Sequence, residues 1–191
     1  MKPSLAAILA APLLSLALPA PADTVTGEAA RAQLFDPEQV EVVRYDAQGL
    51  SEQEVQVLAS VAQGQKYYAA VAFAPEDGLM SEATVMAANH HRVEAAREAA
   101  LAECDARRGP DGPCVIVMEV RPAGWEARAL QLSADATAAF GTDYPGTGGA
   151  LAVSPATGLW GLGQGSGADE QALAACAEGG AAEDCAVVIA D

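Results

Sequence analysis

The sequence predicts an α+β protein that is internally duplicated, with mixed or antiparallel sheets, helices on one face and one disulfide per repeat. The main observation is that the run AVAFAPEDGL at 70–79 returns as ALAVSPATGL at 150–159, which places Pro75 and Pro155 80 positions apart. Each copy is followed by an alanine-rich acidic segment that ends at a cysteine, and then by a second cysteine and a short apolar run. Short apolar runs that alternate with amphipathic helical segments are typical of sheets covered by helices.

The signals along the chain divide it into a signal peptide (1–22), a loose N-terminal lead-in (23–39), a first repeat (40–121) and a second repeat packed against the first (122–191). In the signal segment, Lys2 supplies the positive charge, and the apolar stretch that follows is too short to span a bilayer comfortably. Small residues at Ala20-Pro21-Ala22 predict cleavage before Asp23. We therefore predict a periplasmic or secreted protein; the alternative is an uncleaved membrane anchor.

The net charge of the chain limits the classes of molecule that it can bind. It is −16 at pH 7, from 26 acidic and 10 basic residues. A surface of this sign repels nucleic acid and anionic lipid. No later apolar run reaches membrane-spanning length, so we predict no nucleic-acid partner and no membrane span in the mature chain.

In the first repeat, the β-branched run at 40–45 predicts a strand. Ser51 and Glu54 have the spacing of a capping box at the start of a helix. The segment 67–74 is apolar at every position, which predicts a strand covered on both sides. A turn then leads to a return strand predicted at 80–87.

The rest of the first repeat is predicted as a helix from Arg92 to Cys104, whose apolar positions form one stripe, and a strand from Cys114 to Met118. In the second repeat the expected order is a strand at 126–132, a helix begun by Ser133 and ending near Phe140, strands at 148–153 and 159–162, a helix at 169–176 and a strand at 185–189. The duplicated unit is therefore β-α-β-β-α-β, or its shorter core ββαβ.

Four cysteines in an exported chain predict disulfides, because thiols oxidise outside the cytosol. Each repeat carries its own pair, so we predict Cys104–Cys114 and Cys176–Cys185. Closing so short a loop is worth about 2.7 kcal/mol of chain entropy. Zinc is the competing interpretation, but the C-x2-C spacing of structural zinc sites is absent.

The second copy, GALAVSPATGLWGLG at 149–163 with cysteines at 176 and 185, resembles a bacterial family of secreted, cysteine-paired domains, domain of unknown function 4189. That family has tandem ββαβ units with a Ser-Pro-x-x-Gly turn, a Trp-Gly step and an alanine-rich helix that ends at a cysteine. The resemblance covers about 148–189 and is weaker over 67–119, where Met80-Ser81 replaces the Trp-Gly step. It implies export and disulfides, and no established activity.

Few residues are candidates for catalysis or for metal binding. His90 and His91 are the only histidines, and His90 with Glu94 has the i, i+4 spacing of a metal-binding helix face; the alternative is a polar, solvated helix start. The glycine-rich run 161–167 suggests a phosphate-binding loop, but it has no lysine, so a hairpin turn is favoured. We predict no cofactor.

Three aromatic residues are candidates for ligand binding: Tyr67, Trp125 and Trp160. Tyrosine and tryptophan are enriched in binding hot spots. The alternative is that they cap the ends of a small alanine-rich core.

These observations favour a non-enzymatic binding or scaffold protein of the cell envelope, whose partner is an envelope protein, a peptide or a cell-wall ligand. The alternative is a small periplasmic hydrolase or metal-dependent enzyme centred on His90 and His91. No catalytic signature supports the alternative, because a G-x-S-x-G elbow and an H-E-x-x-H motif are both absent from the sequence.

Overall fold

The computed structural model describes residues 24–46, 49–178 and 182–191, and the predicted signal segment 1–22 lies outside them. The described chain is α+β, and the strands within each of its two sheets pair antiparallel. The elements are α1 (Gly27–Arg31), β1 (Val40–Arg44), α2 (Glu52–Gln63), β2 (Ala69–Phe73), β3 (Val85–Ala87), α3 (Val93–Arg107), β4 (Val115–Pro122), α4 (Ala134–Asp143), β5 (Gly149–Val153), β6 (Trp160–Gln164), α5 (Ala168–Glu178) and β7 (Ala186–Ala190). Within these ranges no helix is long and apolar enough to cross a membrane.

The first sheet has the strand order β1-β4-β2-β3 and is covered on both faces. Val71 and Phe73 of β2 belong to the core that contains α2. Ala70 and Ala72 point the other way, into a smaller core that contains α3. All five residues of β2 are buried, as its apolar pattern predicted. The prediction of helices on only one face is therefore wrong, because both faces of β2 are apolar and each must be covered.

The second sheet, β6-β5-β7, is also covered on both faces. Ala150 and Ala152 of β5 pack in a small core with α5. Leu151 and Val153 face the opposite way and share a core with Phe140 of α4. Ala30 of α1 packs in the same core.

The strand predicted at 126–132 is absent from the structure, where that segment is irregular. The outer edge of β7 is occupied by Val25 instead, whose N–H donates to Val188 O at 3.0 Å and whose carbonyl accepts from Ala190 N at 3.0 Å. The edge of β7 that would correspond to the β1 edge of β4 is therefore already taken. The six-element unit is therefore wrong for the second half, and the order β5-β6-α5-β7 is ββαβ.

The segment 24–39 is not a loose lead-in, because four kinds of contact hold it. Thr26 caps α1 by accepting from Ala29 N, and Gly27 N donates to the Asp191 carboxylate at 3.0 Å. Arg128 donates to Gln33 O at 2.9 Å and lies over the Phe35 ring at 3.8 Å. The Thr26 cap is local, but Arg128 and Asp191, which fix the segment to the rest of the chain, lie 95 and 164 positions from their partners, so no local pattern shows these contacts.

Both predicted disulfides, Cys104–Cys114 and Cys176–Cys185, are present, with Cα atoms 6.1 and 6.2 Å apart. The capping box at Ser51 and Glu54 is also confirmed. The return strand is shorter than predicted, only Val85–Ala87, because hydrogen-bonded turns occupy the residues before it. One such turn is closed by Thr84, whose hydroxyl donates to Leu79 O at 2.7 Å.

The glycine-rich run is part of the strand β6 rather than a phosphate loop. Gly161 and Gly163 are buried against α5, and a Cβ at either position would overlap the backbone of that helix. At Gly163 the overlapping atom is the Ala168 carbonyl oxygen. The alternating glycines therefore let α5 lie directly on the strand.

We predict opposite stability effects for two glycine-to-alanine substitutions. Gly163→Ala forces the strand and helix backbones apart and lowers the free energy of unfolding by about 3 kcal/mol. Gly141→Ala lies in α4 with open space around the new methyl group and raises the free energy of unfolding by about 0.5–1 kcal/mol. Urea unfolding of the oxidised protein measures both, and equal effects would contradict this account of β6.

Candidate functional site

The histidine pair lies in the connection between β3 and α3, not on a helix. The helix α3 begins at Val93, so His90 and His91 precede its first turn. The i, i+4 face predicted for His90 and Glu94 is therefore not formed. The described residues also contain no group of three or more His, Cys, Asp or Glu side chains placed to hold a metal ion.

His91 is buried and hydrogen-bonded through both ring nitrogens. Its Nδ1 accepts from Ser133 N at 2.9 Å, which fixes the proton on Nε2. Nε2 then donates to Leu159 O at 2.9 Å. Burial lowers the pKa of His91 to about 4, although the hydrogen bond to Leu159 acts in the opposite direction. The ring is therefore neutral at physiological pH and joins the first half of the chain to the second.

The residues beside His91 strengthen the same junction. Asn89 has a positive φ of 62°, and its side chain accepts from Asp135 N at 3.1 Å and donates to the Asp135 carboxylate at 3.0 Å. Asparagine is one of the few residues other than glycine that adopt this backbone conformation readily. Gly158 lies so close that a Cβ there would overlap Asn89 O.

His90 is only half-buried and differs from its neighbour. Its backbone N–H donates to Tyr68 O at 3.1 Å, whereas its ring Nδ1 is buried without a hydrogen-bond partner among the described residues. Burial lowers the pKa of His90. Of the two histidines, only His90 has a ring nitrogen without a hydrogen-bond partner among the described residues, and that nitrogen is buried.

A serine, a threonine and an aspartate lie close to the histidines but do not form a catalytic triad. Ser154 Oγ donates to Asp184 at 2.5 Å, and Thr157 Oγ1 donates to Ser154 Oγ at 2.8 Å. Burial raises the pKa of Asp184, but the hydrogen bonds from Ser154 and Ala156 N outweigh it and lower the pKa overall. Ser154 is fully buried and bonded directly to a carboxylate, so the cluster fixes the Ser-Pro-x-x-Gly turn to the residue before Cys185.

The three aromatic candidates are not brought together as an exposed surface. Tyr67 is only 1% exposed and belongs to the first core, so its predicted role as an exposed ligand-binding residue is wrong. Trp125 is partly buried, with the Arg121 guanidinium 4.5 Å above its ring. Trp160 is partly buried in β6 against the second core. Trp125 packs against the first core and Trp160 against the second, so both indoles are used in packing.

The structure contains a buried charged cluster that the sequence pattern did not predict. Glu119, in the middle of β4, is fully buried and contacts Arg97 Nε, and it accepts from Arg121 Nε at 2.8 Å. Both arginines donate to the Tyr45 hydroxyl, at 2.8 and 3.2 Å. The signal was available, because the strand VIVMEVRP carries a glutamate among apolar residues, but the strand was predicted to end at Met118.

A groove between the N-terminal segment and α4 was also missed. It has a volume of about 540 Å³ and is lined mainly by apolar atoms. Its walls are residues 31–37 on one side and 137–142 on the other. No local pattern marks it, because neither wall was predicted to lie beside the other.

In comparisons with known proteins, no family model, no curated protein and no solved structure matches the chain. The resemblance to domain of unknown function 4189 therefore stays a prediction.

We predict that acid destabilises the fold through His91. An unfolded imidazole keeps its ordinary pKa of 6.5 and takes up a proton below that pH, whereas the folded ring stays neutral down to about 4. The free energy of unfolding should thus fall by about 1.4 kcal/mol per pH unit in this window, and be restored above pH 6.5. Urea unfolding from pH 4 to 8 measures the slope.

His91→Gln keeps a donor for Leu159 O and cannot titrate, so its profile should be flatter than that of the unsubstituted protein. His90 and Asp184 are the titratable groups that act on the pKa of His91. The matched control is therefore His90→Gln, which removes one of them and leaves the His91 ring in place. If both variants keep the original slope, His91 is not the group responsible.

We predict that Glu119→Gln lowers the free energy of unfolding by about 3 kcal/mol, because it leaves two guanidinium groups around a neutral amide. The control is Glu126→Gln, whose carboxylate pairs with Arg128 at 3.0 Å but is 71% exposed. That surface pair should contribute about 0.5 kcal/mol or less. Similar losses of unfolding free energy in the two variants would show that the buried cluster contributes no more to stability than the surface pair does.

Proposed function

We propose that the protein is an exported, non-enzymatic binding or scaffold protein of the cell envelope. The observation that carries the proposal is the double hydrogen bonding of His91. A histidine serves as a general base or metal ligand only with a free nitrogen. The contacts of His91 leave it none, so its role is structural.

Export is supported by the signal-like layout of 1–22 and by the two disulfides. Disulfides persist in oxidising compartments and are rare where glutathione keeps thiols reduced. A strongly acidic exported chain is suited to protein, peptide or cell-wall partners rather than to nucleic acid.

We also propose that the chain arose by internal duplication, as in the family it resembles. The orders β4-β2-β3 and β7-β5-β6 are alike, and each has its disulfide between the helix and the last strand. The register of the central strand shifts after Val71 in one sheet and after Leu151 in the other, again 80 positions apart. A bulge at the same place in two strands is a feature that descendants of one sequence would share.

The second candidate function is a small hydrolase or metal-dependent enzyme that uses His90. One observation favours it: the half-buried His90 has a ring nitrogen without a partner. Against it, the nearby Ser154 and Asp184 are bonded to each other and not to an imidazole.

The two candidates are separated by His90→Gln in the oxidised protein beginning at Asp23. The binding proposal predicts that retention on purified cell-wall sacculi or envelope protein fractions is the same for the variant and the unsubstituted protein. It also predicts that neither hydrolyses chromogenic esters, peptides or glycosides, with or without zinc. Turnover that disappears in His90→Gln while the circular dichroism spectrum stays unchanged would establish the enzyme and reject the binding proposal.

A further inference from the structure

The groove between residues 31–37 and α4 has the size and lining of a small-molecule site. Its volume of about 540 Å³ lies within the range usual for ligand pockets. Leu34, Phe35 and Pro37 form one wall, and Phe140 lies in the other. Such walls can contact the apolar part of a ligand, but they do not by themselves determine which ligand binds.

The groove has a positive charge at Arg31. The guanidinium lies 5.2 Å above the Phe140 ring and has no carboxylate within ion-pair distance among the described residues. The one acidic residue in the walls, Asp36, uses both carboxylate oxygens within its own turn, accepting from Glu38 N and Gln39 Nε2. An arginine without a carboxylate partner in an apolar groove can form charge-assisted hydrogen bonds with an anion.

The second polar feature of the groove is the buried hydroxyl of Thr137. This residue is 7% exposed, lines the groove, and its Oγ1 has no hydrogen-bond partner. The neighbouring Tyr67 hydroxyl is also buried without a hydrogen-bond partner of ordinary geometry. Burial raises the pKa of Tyr67, and the adjacent Thr137 hydroxyl acts in the opposite direction. Threonine in a helix has two accessible χ1 rotamers, so rotation can turn Oγ1 towards the groove. Thr137 and Phe140 are three residues apart and therefore neighbours on one helix face.

We propose that this groove binds a small amphipathic carboxylic acid, with its apolar body against Leu34, Phe35 and Phe140. The carboxylate binds to Arg31 and accepts a hydrogen bond from Thr137. This inference rests on the proposed binding function and names the ligand class for it.

The test is isothermal titration of the oxidised protein with octanoate, with octanol and octylammonium as probes of the same chain length. Octanoate should bind with a Kd of about 1 mM or tighter, and the neutral and cationic probes about tenfold more weakly or worse. Shifts of backbone amide resonances on adding octanoate should be confined to 31–37 and 137–142. Equal affinity for octanoate and octanol, or shifts elsewhere, would overturn the proposal.

Two variants and their controls locate the site. Arg31→Gln should weaken octanoate binding about tenfold, whereas Arg31→Lys keeps the charge and should change it less than about threefold. Arg44→Gln removes another exposed arginine without a carboxylate partner and should change nothing. Unaltered binding by Arg31→Gln would reject the site.

Gly141→Leu adds an exposed side chain to the groove wall and should also weaken binding, with Ala102→Leu on α3 as its control.

Failure of octanoate to bind overturns only the ligand class, because the sacculus and protein-fraction experiment is scored separately. Turnover dependent on His90 would overturn the proposed function whatever octanoate does.

Discussion

His91 joins two sheets that, in the part of the chain that the structure describes, share no strand pairing with each other. A neutral imidazole has one donor and one acceptor, and both are used across the junction: Ser133 N donates to Nδ1, and Nε2 donates to Leu159 O. A protonated ring would present a second donor to Ser133 N, which has nothing to accept with. The His91 contact therefore requires the neutral ring that burial enforces, and protonation of the ring would weaken this link between the two halves.

The helix α4 extends this junction into both cores. Ser133 accepts from Ala136 N as the helix cap while its own N–H donates to His91, so the start of α4 is set from the first half of the chain. Ala134 then packs in the first core and Phe140 in the second. Because one short helix belongs to both cores, its outer face is fixed in position. That face is the wall of the groove that contains Thr137 and Phe140.

Sequence reasoning recovered what neighbouring residues determine. The capping box at Ser51, the buried strand β2 and both disulfides follow from spacing along the chain, and all are present. The segment 126–132 has strand-like residues, but the edge it would need is taken by Val25, from far earlier in the chain. Tyr67 was misjudged for the same reason, since nothing beside it in sequence shows that α4 covers it. When distant segments compete for one sheet edge or one buried face, no pattern of neighbouring residues shows which segment will occupy it.

The histidine pair lies after the first matching run, between β3 and α3, and its structural role changes where a ligand should be sought. Those residues are used to join the halves, through His91 and through the Asn89–Asp135 hydrogen bonds. The first halves of the matching runs, in β2 and β5, lie in the sheets and are buried. The groove proposed as the binding site is contributed by segments outside both runs, the N-terminal residues 31–37 and the face of α4. The buried repeated strands are used for folding, whereas Arg31 lies in a segment that is not repeated and can contribute to binding.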